Sequence, residues 1–430
     1  MITALVAALV LATAAVVGGR WYYEHPPAKT VRGSSTVEFV PREKPQAKPR
    51  PTKMIEDIPW PTYGYDVQRT HLAPFRLRPP YRQRWFYRSG SLMEFPPVVT
   101  HDFVIGASDS GNLFALEKST GKVVWRTGFG HCSAASPTVA GDVVYMALMG
   151  TKPCPRYPRT QKGLIVAVRV SDGHELWRRS FSVSESSLLY VRGVLYFGSW
   201  DGAVYALDTR TRRVRWRTQT DGEIDSSAAY ADGTVFIGNN AGSIYALDAT
   251  TGAVRWTGRS SSGLFRGREY FYATPTVAYG RVFASNTDGS VYAFGASTGN
   301  LLWQRRVGTY VYTAPAVWDR KVFVGTYDGR FVALDAATGD PVWSFDAPAS
   351  IHGAPTVMNG IVYFATCGTC GQHGIRSAKL GPRMTIALDA RSGKQVWSFQ
   401  DGQYSPVVAD ESHVFLSGRA WVYGLVPRRR

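Results

Sequence analysis

Short runs in which apolar and polar residues alternate recur along the chain from about Trp60, and turn signals cut off each of them. Eight such runs are FVIGAS, VVYMAL, VLYFGS, TVFIGN, RVFASN, KVFVGT, IVYFAT and HVFLSG. A second series follows them: AVYALDTRTRRVRW (203–216), SIYALDATTGAVRW (243–256), RFVALDAATGDPVW (330–343) and MTIALDARSGKQVW (384–397). Looser copies stand at 112–125, 164–177 and 290–303. Alternation with a period of two in β-branched and aromatic residues, broken by Asp-Gly and Thr-Gly, predicts strands and hairpins rather than helices. A third series opens the units, with Pro at 97, 137, 275, 315, 355 and 406. Proline suits an edge strand whose N–H groups need no ladder partner.

The tryptophans that end each unit are Trp85, Trp125, Trp177, Trp216, Trp256, Trp303, Trp343 and Trp397, spaced by 40, 52, 39, 40, 47, 40 and 54 residues. A unit of about forty residues holding four strands is the size of a β-propeller blade. Seven complete units end at Trp125 through Trp397. The remaining tail, YSPVVADESHVFLSGRAWVYGLV, lacks an outer strand, and YRQRWFYRS around Trp85 can supply it. The expectation is an all-β, eight-bladed propeller of four-stranded antiparallel blades over 60–430. Strands from both termini close its last blade, leaving no open seam. Within each unit Asp accepts backbone N–H groups to open a turn, Gly supplies a positive φ, and Trp wedges between neighbouring blades. Arg212 stands where the other turns have Gly, which predicts a strained turn or one of another type.

Residues 1–19 are uncharged and mostly Ala, Val and Leu. As a helix they would be roughly 28 Å long, enough to cross a bilayer core. The expectation is a single-pass N-terminal membrane helix with the propeller outside the cytoplasm. The rival reading, a signal peptide cleaved at an Ala12-x-Ala14 site, lacks a preceding basic residue. Arg20, Lys29 and Arg32 just beyond the segment favour the opposite orientation, although that rule weakens for long translocated domains. Residues 20–59, rich in Pro, Lys, Arg and Glu, read as a disordered linker. It would either attract anionic lipid headgroups or wall polymers or act as a plain solvated tether.

Composition narrows the function. With 44% hydrophobic residues, 43 Gly, 13 Trp and 23 Tyr, the 430-residue chain is too apolar and aromatic to be disordered. One long apolar run excludes a polytopic membrane protein. The net charge of +17 is diffuse and no reader motif accompanies it, so nucleic-acid binding is excluded as the main reading.

The irregular spacings locate insertions. Blades 2 and 7 are longer between their second and third strands by 12 and 14 residues, in MGTKPCPRYPRTQKG and CGTCGQHGIRSAKLGPR. The connection SSSGLFRGREYFYATP is 7 residues longer than its counterparts. In an up-and-down blade these loops all leave one face, and loops on a rigid scaffold are where function sits. His131, Arg156, Arg159, Arg266, Arg268, Tyr270, Tyr272, Tyr310, Tyr312, His352 and His373 fall on that rim. They could form a basic aromatic mouth for an anionic or sugar-like ligand; the bland alternative is a set of solvated loop residues. All four cysteines lie there. Cys132 and Cys154 can pair, and Cys367 and Cys370 read first as a local disulfide staple. A metal site drawing in His373 and the other two cysteines, or a redox pair, are the alternatives.

The ALDAxTGxxxW repeat, preceded by an xSPxVxxGxVYxGS strand pair, resembles the pyrroloquinoline-quinone-like (PQQ-like) β-propeller repeat family over about Trp60 to the C-terminus. The resemblance implies an eight-bladed propeller and an extracytoplasmic location. Members include quinoprotein alcohol dehydrogenases and the scaffold lipoprotein of outer-membrane protein assembly. Asp225, Asn239 and Asn240 are the residue types with which such dehydrogenases hold Ca²⁺, but the adjacent cysteine pair of those enzymes and a C-x-x-C-H haem motif are missing. The lipid-bearing N-terminal Cys of the scaffold is missing too. Two readings follow. The first is a monomeric, membrane-anchored, non-catalytic propeller that binds an envelope protein or polymer through its rim, with no cofactor. The alternative is a PQQ- and Ca²⁺-dependent dehydrogenase with its cofactor in the central funnel.

Overall fold

The computed structural model describes residues 31–32, 58–154, 161–260, 269–371, 375, 377–404 and 407–428. Every regular element among them is a β-strand, and the strands form eight sheets whose four blade strands pair antiparallel. Blade 1, for example, runs Val98–Val99, Phe103–Ala107, Asn112–Glu117 and Val123–Gly128 from axis to rim. Blade 8 draws on both ends of the chain. Its inner strands are Val408–Ala409, Val414–Ser417 and Trp421–Pro427, and its outer strand is Tyr81–Arg88, paired antiparallel from Tyr81 opposite Pro427 to Arg88 opposite Trp421 with the register slipping by one residue between Gln83 and Trp85. The expected closure is therefore present.

The perimeter is one device repeated. In blades 1 to 7 the third strand places Ala opposite the unit's Trp, and the register slips by one residue immediately afterwards (Ala246 opposite Trp256, then Leu247 opposite Val254). That bulge turns the indole onto the next blade, where it lies against the turn glycine. A Cβ on Gly252, whose φ is +75°, would meet Trp216 at 2.6 Å. The indole N–H then donates to a carbonyl of that same next blade, as Trp216 does to Ala249 at 3.0 Å. The same bond is made by Trp85, Trp125, Trp256, Trp303 and Trp343. Blade 8 has no such turn because its outer strand comes from the other end of the chain, and Trp397 packs edge-on against Tyr81 instead, 5.2 Å between ring centres. The turn at Arg212 is of the ordinary type: Arg212 N donates to Asp208 O at 2.8 Å, as Gly252 N does to Asp248 O. Arg212 adopts that geometry at φ +59°, so of the two expectations strain is the correct one.

Two features lie beyond the sequence expectations. Val31–Arg32 pairs antiparallel with the outer strand of blade 5, Leu301–Arg306, so the stretch read as a disordered linker contributes two residues to a sheet. The remainder of that linker up to residue 57 and residues 1–19 lie outside the described residues, among which no helix is long and apolar enough to cross a membrane.

The second feature is on the axis. Residues 60–73 run through the centre and bond to the innermost strand of blade after blade. Trp60 pairs with Val99, and Pro61, Val67, Gln68, Thr70 and His71 offer their carbonyls to Val139, Tyr230, Val277, Val317 and Val357. Leu72–Ala73 then lies parallel to Thr356–Met358. Blade 3 is reached by the buried side chain of Arg69, which donates to the carbonyls of Ser187 and Leu188, to Ala228 O at 2.9 Å, to Thr62 Oγ1 at 2.7 Å and to Tyr63 O. Inner strands otherwise have unpaired edges facing the axis, and this segment satisfies them.

Candidate functional site

Above this segment, on the face that carries the inserts, lies a recessed cavity of about 40 Å³. Tyr63 is its contribution from the axial segment, and the connections entering blades 1, 4, 5, 6, 7 and 8 contribute the rest. The residues that matter come from one position in the repeat, three before the opening Pro or its substitute. Around the ring this position holds Glu94, Ala134, Glu185, Asp225, Tyr272, Tyr312, His352 and Gln403. Acids thus stand in blades 1, 3 and 4 and aromatic rings in blades 5, 6 and 7. In blade 8 Gln403 turns towards Cys367, and Tyr404, at φ +61°, lines the cavity.

The aromatic side is a continuous wall. Tyr272 meets Tyr312 edge-on at 4.4 Å, Tyr312 stacks on His352 at 5.2 Å, and Tyr404 meets His352 edge-on at 4.8 Å. Tyr327 hydrogen-bonds His352 Nδ1, and burial lowers the His352 pKa to about 4, so the imidazole is neutral at pH 7. Its Nε2 faces Glu94 Oε1 at 4.0 Å. On the acidic side Asp225 accepts from the Trp200 indole and from Asn240 Nδ2, both at 2.7 Å. Tyr272 donates to Glu185 at 3.1 Å. Burial, with the charge of Asp109 added, raises the Glu94 carboxyl to about pH 7. Burial pushes Glu185 well above the usual carboxylate range, and the charges of Asp225 and Glu94 push it further.

The two inserts back this cavity. Both disulfides are formed, Cys132–Cys154 and Cys367–Cys370, and no free cysteine remains. Cys367 and Cys370 pack with Tyr327 against Tyr310, Tyr312 and Tyr404, directly behind the aromatic wall. Cys132 packs with Met149 and Val183 against Trp200, whose indole holds Asp225. The local staple is the correct reading of C-x-x-C, and no group of three metal-capable side chains gathers among the described residues.

Of the rim residues expected from the sequence, His352, Tyr272 and Tyr312 line the cavity and Tyr310 supports it from behind. His131 is occupied within the blade 2 insert, with Nδ1 bonded to Met149 O at 2.7 Å. Tyr270 exchanges bonds with Thr287 and does not line the cavity. Arg156, Arg159, Arg266, Arg268 and His373 lie outside the described residues. The described mouth is acidic and aromatic, where a basic aromatic one was expected. Glu94 and Glu185 were missed; aligning the repeats on their opening prolines finds Glu94, whereas the blade 3 unit has Leu188 in place of Pro and hides Glu185. Asn239 caps the turn at Ala241 and Ser243 through Oδ1, while Asn240 reaches Asp225.

Comparison with known proteins places this geometry. The family model PQQ_2, described as outer membrane protein assembly factor BamB, matches residues 82–199, 156–287, 201–315 and 287–422. A curated relative, outer membrane protein assembly factor BamB of Legionella pneumophila (strain Paris), is 28% identical over 132 residues, which is 28% of this chain and 31% of that protein. The match thus spans about a third of the relative's length. The crystal structure of BamB from Moraxella catarrhalis superposes with a TM-score of 0.66 at 17% identity, covering 81% of this chain and all of that one. The quinohemoprotein alcohol dehydrogenase ADHIIG from Pseudomonas putida HK5 gives the same TM-score at 11% identity, covering 86% and 82%. At these identities both likenesses concern the fold.

Proposed function

Because this chain belongs to the outer membrane protein assembly factor BamB family, we propose that it is a non-catalytic, extracytoplasmic scaffold at the cell envelope. In this reading it binds a protein partner through the insert-bearing face, and the N-terminal segment ties it to the membrane. The observation that carries the reading is the filled axis: residues 60–73 occupy the centre, and what remains above them is a cavity of about 40 Å³. Ordinary small-molecule sites are some ten times larger, at roughly 300–1,000 Å³.

The chemistry of the lining argues the same way. Pyrroloquinoline quinone carries several carboxylates, and the described lining offers it Glu94 and Asp225 with Glu185 behind Tyr272, and no Lys or Arg. Like charges across a poorly solvated gap repel strongly, so these residues do not suit the quinone.

The test uses the full-length protein in envelopes. Cross-linking is compared between the native chain and a variant shortened between Cys154 and Lys162 and between Cys370 and Met384, keeping both disulfides. The expected result is loss of the cross-linked partner with an unchanged melting curve; equal recovery from both overturns the rim as the binding face. In parallel, purified protein given the quinone and Ca²⁺ should show no dye-linked alcohol oxidation. Turnover would establish the dehydrogenase reading instead.

A further inference from the structure

We propose that the axial cavity is a receptor for a single organic cation, the guanidinium or ammonium head of an arginine or lysine side chain presented by the partner. The claim about the source rests on the scaffold reading above; the claim about the cavity does not. Two observations point to this chemistry. The cavity has carboxylates on one side, Glu94 and Asp225, and aromatic faces on the other, Tyr272, Tyr312, His352 and Tyr404. That is the pairing that recognises an organic cation, through charge-assisted hydrogen bonds and through attraction to ring faces. Its volume of about 40 Å³ admits a small head group and little more.

The second observation is the spread of the acids. They come from separate blades and gather into no three-ligand set among the described residues, whereas a bare divalent ion needs its oxygens drawn to within about 2.0–2.6 Å of one point. A planar fork or a tetrahedral ammonium reaches acceptors that lie further apart. The cavity is also accessible, since the Glu94 side chain is 28% exposed.

The experiment is calorimetric titration of the purified full-length protein at pH 8 with acetyl-Gly-Arg-Gly-amide and with the citrulline peptide of the same length, its uncharged isostere. Agmatine and CaCl2 are titrated separately. The Arg peptide should bind one-to-one and at least tenfold more tightly than the citrulline peptide. Glu94→Gln and Asp225→Asn should each weaken it at least tenfold, while the melting temperature of Glu94→Gln at pH 8 does not fall, which separates lost binding from lost structure. Agmatine binding more tightly than the peptide would overturn the partner side chain as the source and make a free amine the ligand. Equal affinity for citrulline, unchanged affinity in both variants, or no binding at all overturns the cavity as a cation receptor. Tighter one-to-one binding of Ca²⁺ that displaces the peptide overturns it in favour of a metal. If the titration fails while the insert-shortened protein still loses its partner, the scaffold reading stands and only the cation receptor falls.

Discussion

The perimeter and the axis of this propeller are built from the same eight units by opposite rules. At the perimeter six indoles rest on the turns of the next blade and donate to one of its carbonyls. On the axis one register position changes character around the ring: three acids, two tyrosines, a histidine, an alanine and a glutamine occupy it. A contact repeated at every blade junction must be compatible with all of them, so variation there is penalised in stability. A position facing a central opening has no counterpart to match and is free to specialise. The perimeter therefore reports on folding and the axis on function, and this division can be attacked experimentally.

The largest effect is expected at the base of the axis, the one place where the two rules meet. Arg69 is fully buried and donates to carbonyls belonging to different blades. Burial lowers its pKa to about 10, so the guanidinium remains charged at neutral pH. Arg69→Met removes the charge and strands its acceptors, which should cost about 3–5 kcal/mol in urea unfolding. Arg69→Lys cannot reproduce the fork and should recover less than half of that. A loss below about 1 kcal/mol for Arg69→Met would mean that the axial segment is an accessory rather than part of the architecture.

Next is a perimeter position. Gly252→Ala must hold φ +75° with its Cβ 2.6 Å from the Trp216 ring. Left-handed strain plus overpacking should cost about 2–4 kcal/mol and leave ligand titrations of the refolded fraction unchanged. A binding defect there would break the division between wall and axis.

The third prediction sharpens the division through pH. Glu94 has its folded pKa raised from 4.5 to about 7. A raised carboxyl contributes stability that is complete below pH 4.5 and disappears as pH climbs through about 7. Glu94→Gln should therefore be more stable than the native protein at pH 8, by about 1–3 kcal/mol, with the gap closing by pH 4. The groups facing Glu94 are Asp109, Glu185, His352, Tyr272, Tyr327 and Tyr404. Among them His352 works in the opposite sense. Its pKa is lowered from 6.5 to about 4, so its contribution is present above pH 6.5 and is lost as pH falls through about 4. Melting curves from pH 4 to 8 for native protein, Glu94→Gln and His352→Asn separate the two. A pH-independent difference between the native protein and Glu94→Gln would show that Glu94 is solvated and that the acidic side of the cavity is ordinary surface.

This contrast also explains what could be read from the sequence. The perimeter was legible because it repeats: Trp, Gly and Asp recur in fixed order, and counting them revealed both the blade number and the strand at Tyr81–Arg88 missing from the other end. The cavity was only half legible. His352, Tyr272 and Tyr312 were visible as rim residues, but the carboxylates Glu94 and Glu185 were not, because residue types that differ from blade to blade leave no repeated signature. The axial segment was the least legible part. Its residues 60–73 belong to no unit, and their bonds to six inner strands are made by backbone carbonyls, which carry no residue-type signal.

The smallest effect tests whether the perimeter is as uniform as claimed. Arg212 is the single departure from glycine in the repeated turn, held at φ +59° in the same hydrogen-bonded geometry. Trp177, which should sit beneath that turn, makes no indole bond among the described residues and is partly exposed, unlike Trp216. The blade 2–3 junction is therefore the weakest copy of the device. Arg212→Gly relieves left-handed strain of about 1–2 kcal/mol but adds unfolded-chain entropy worth about 0.4–1 kcal/mol. The net gain should be below about 1 kcal/mol, a rise in Tm of one or two degrees in a protein of this size. The double variant with Trp177→Phe sharpens the point, because the glycine should help less once the indole it would cover is gone. A fall in Tm for Arg212→Gly would show that the arginine side chain makes a contact worth more than the strain it imposes, and that this junction follows the rule of the axis rather than that of the wall.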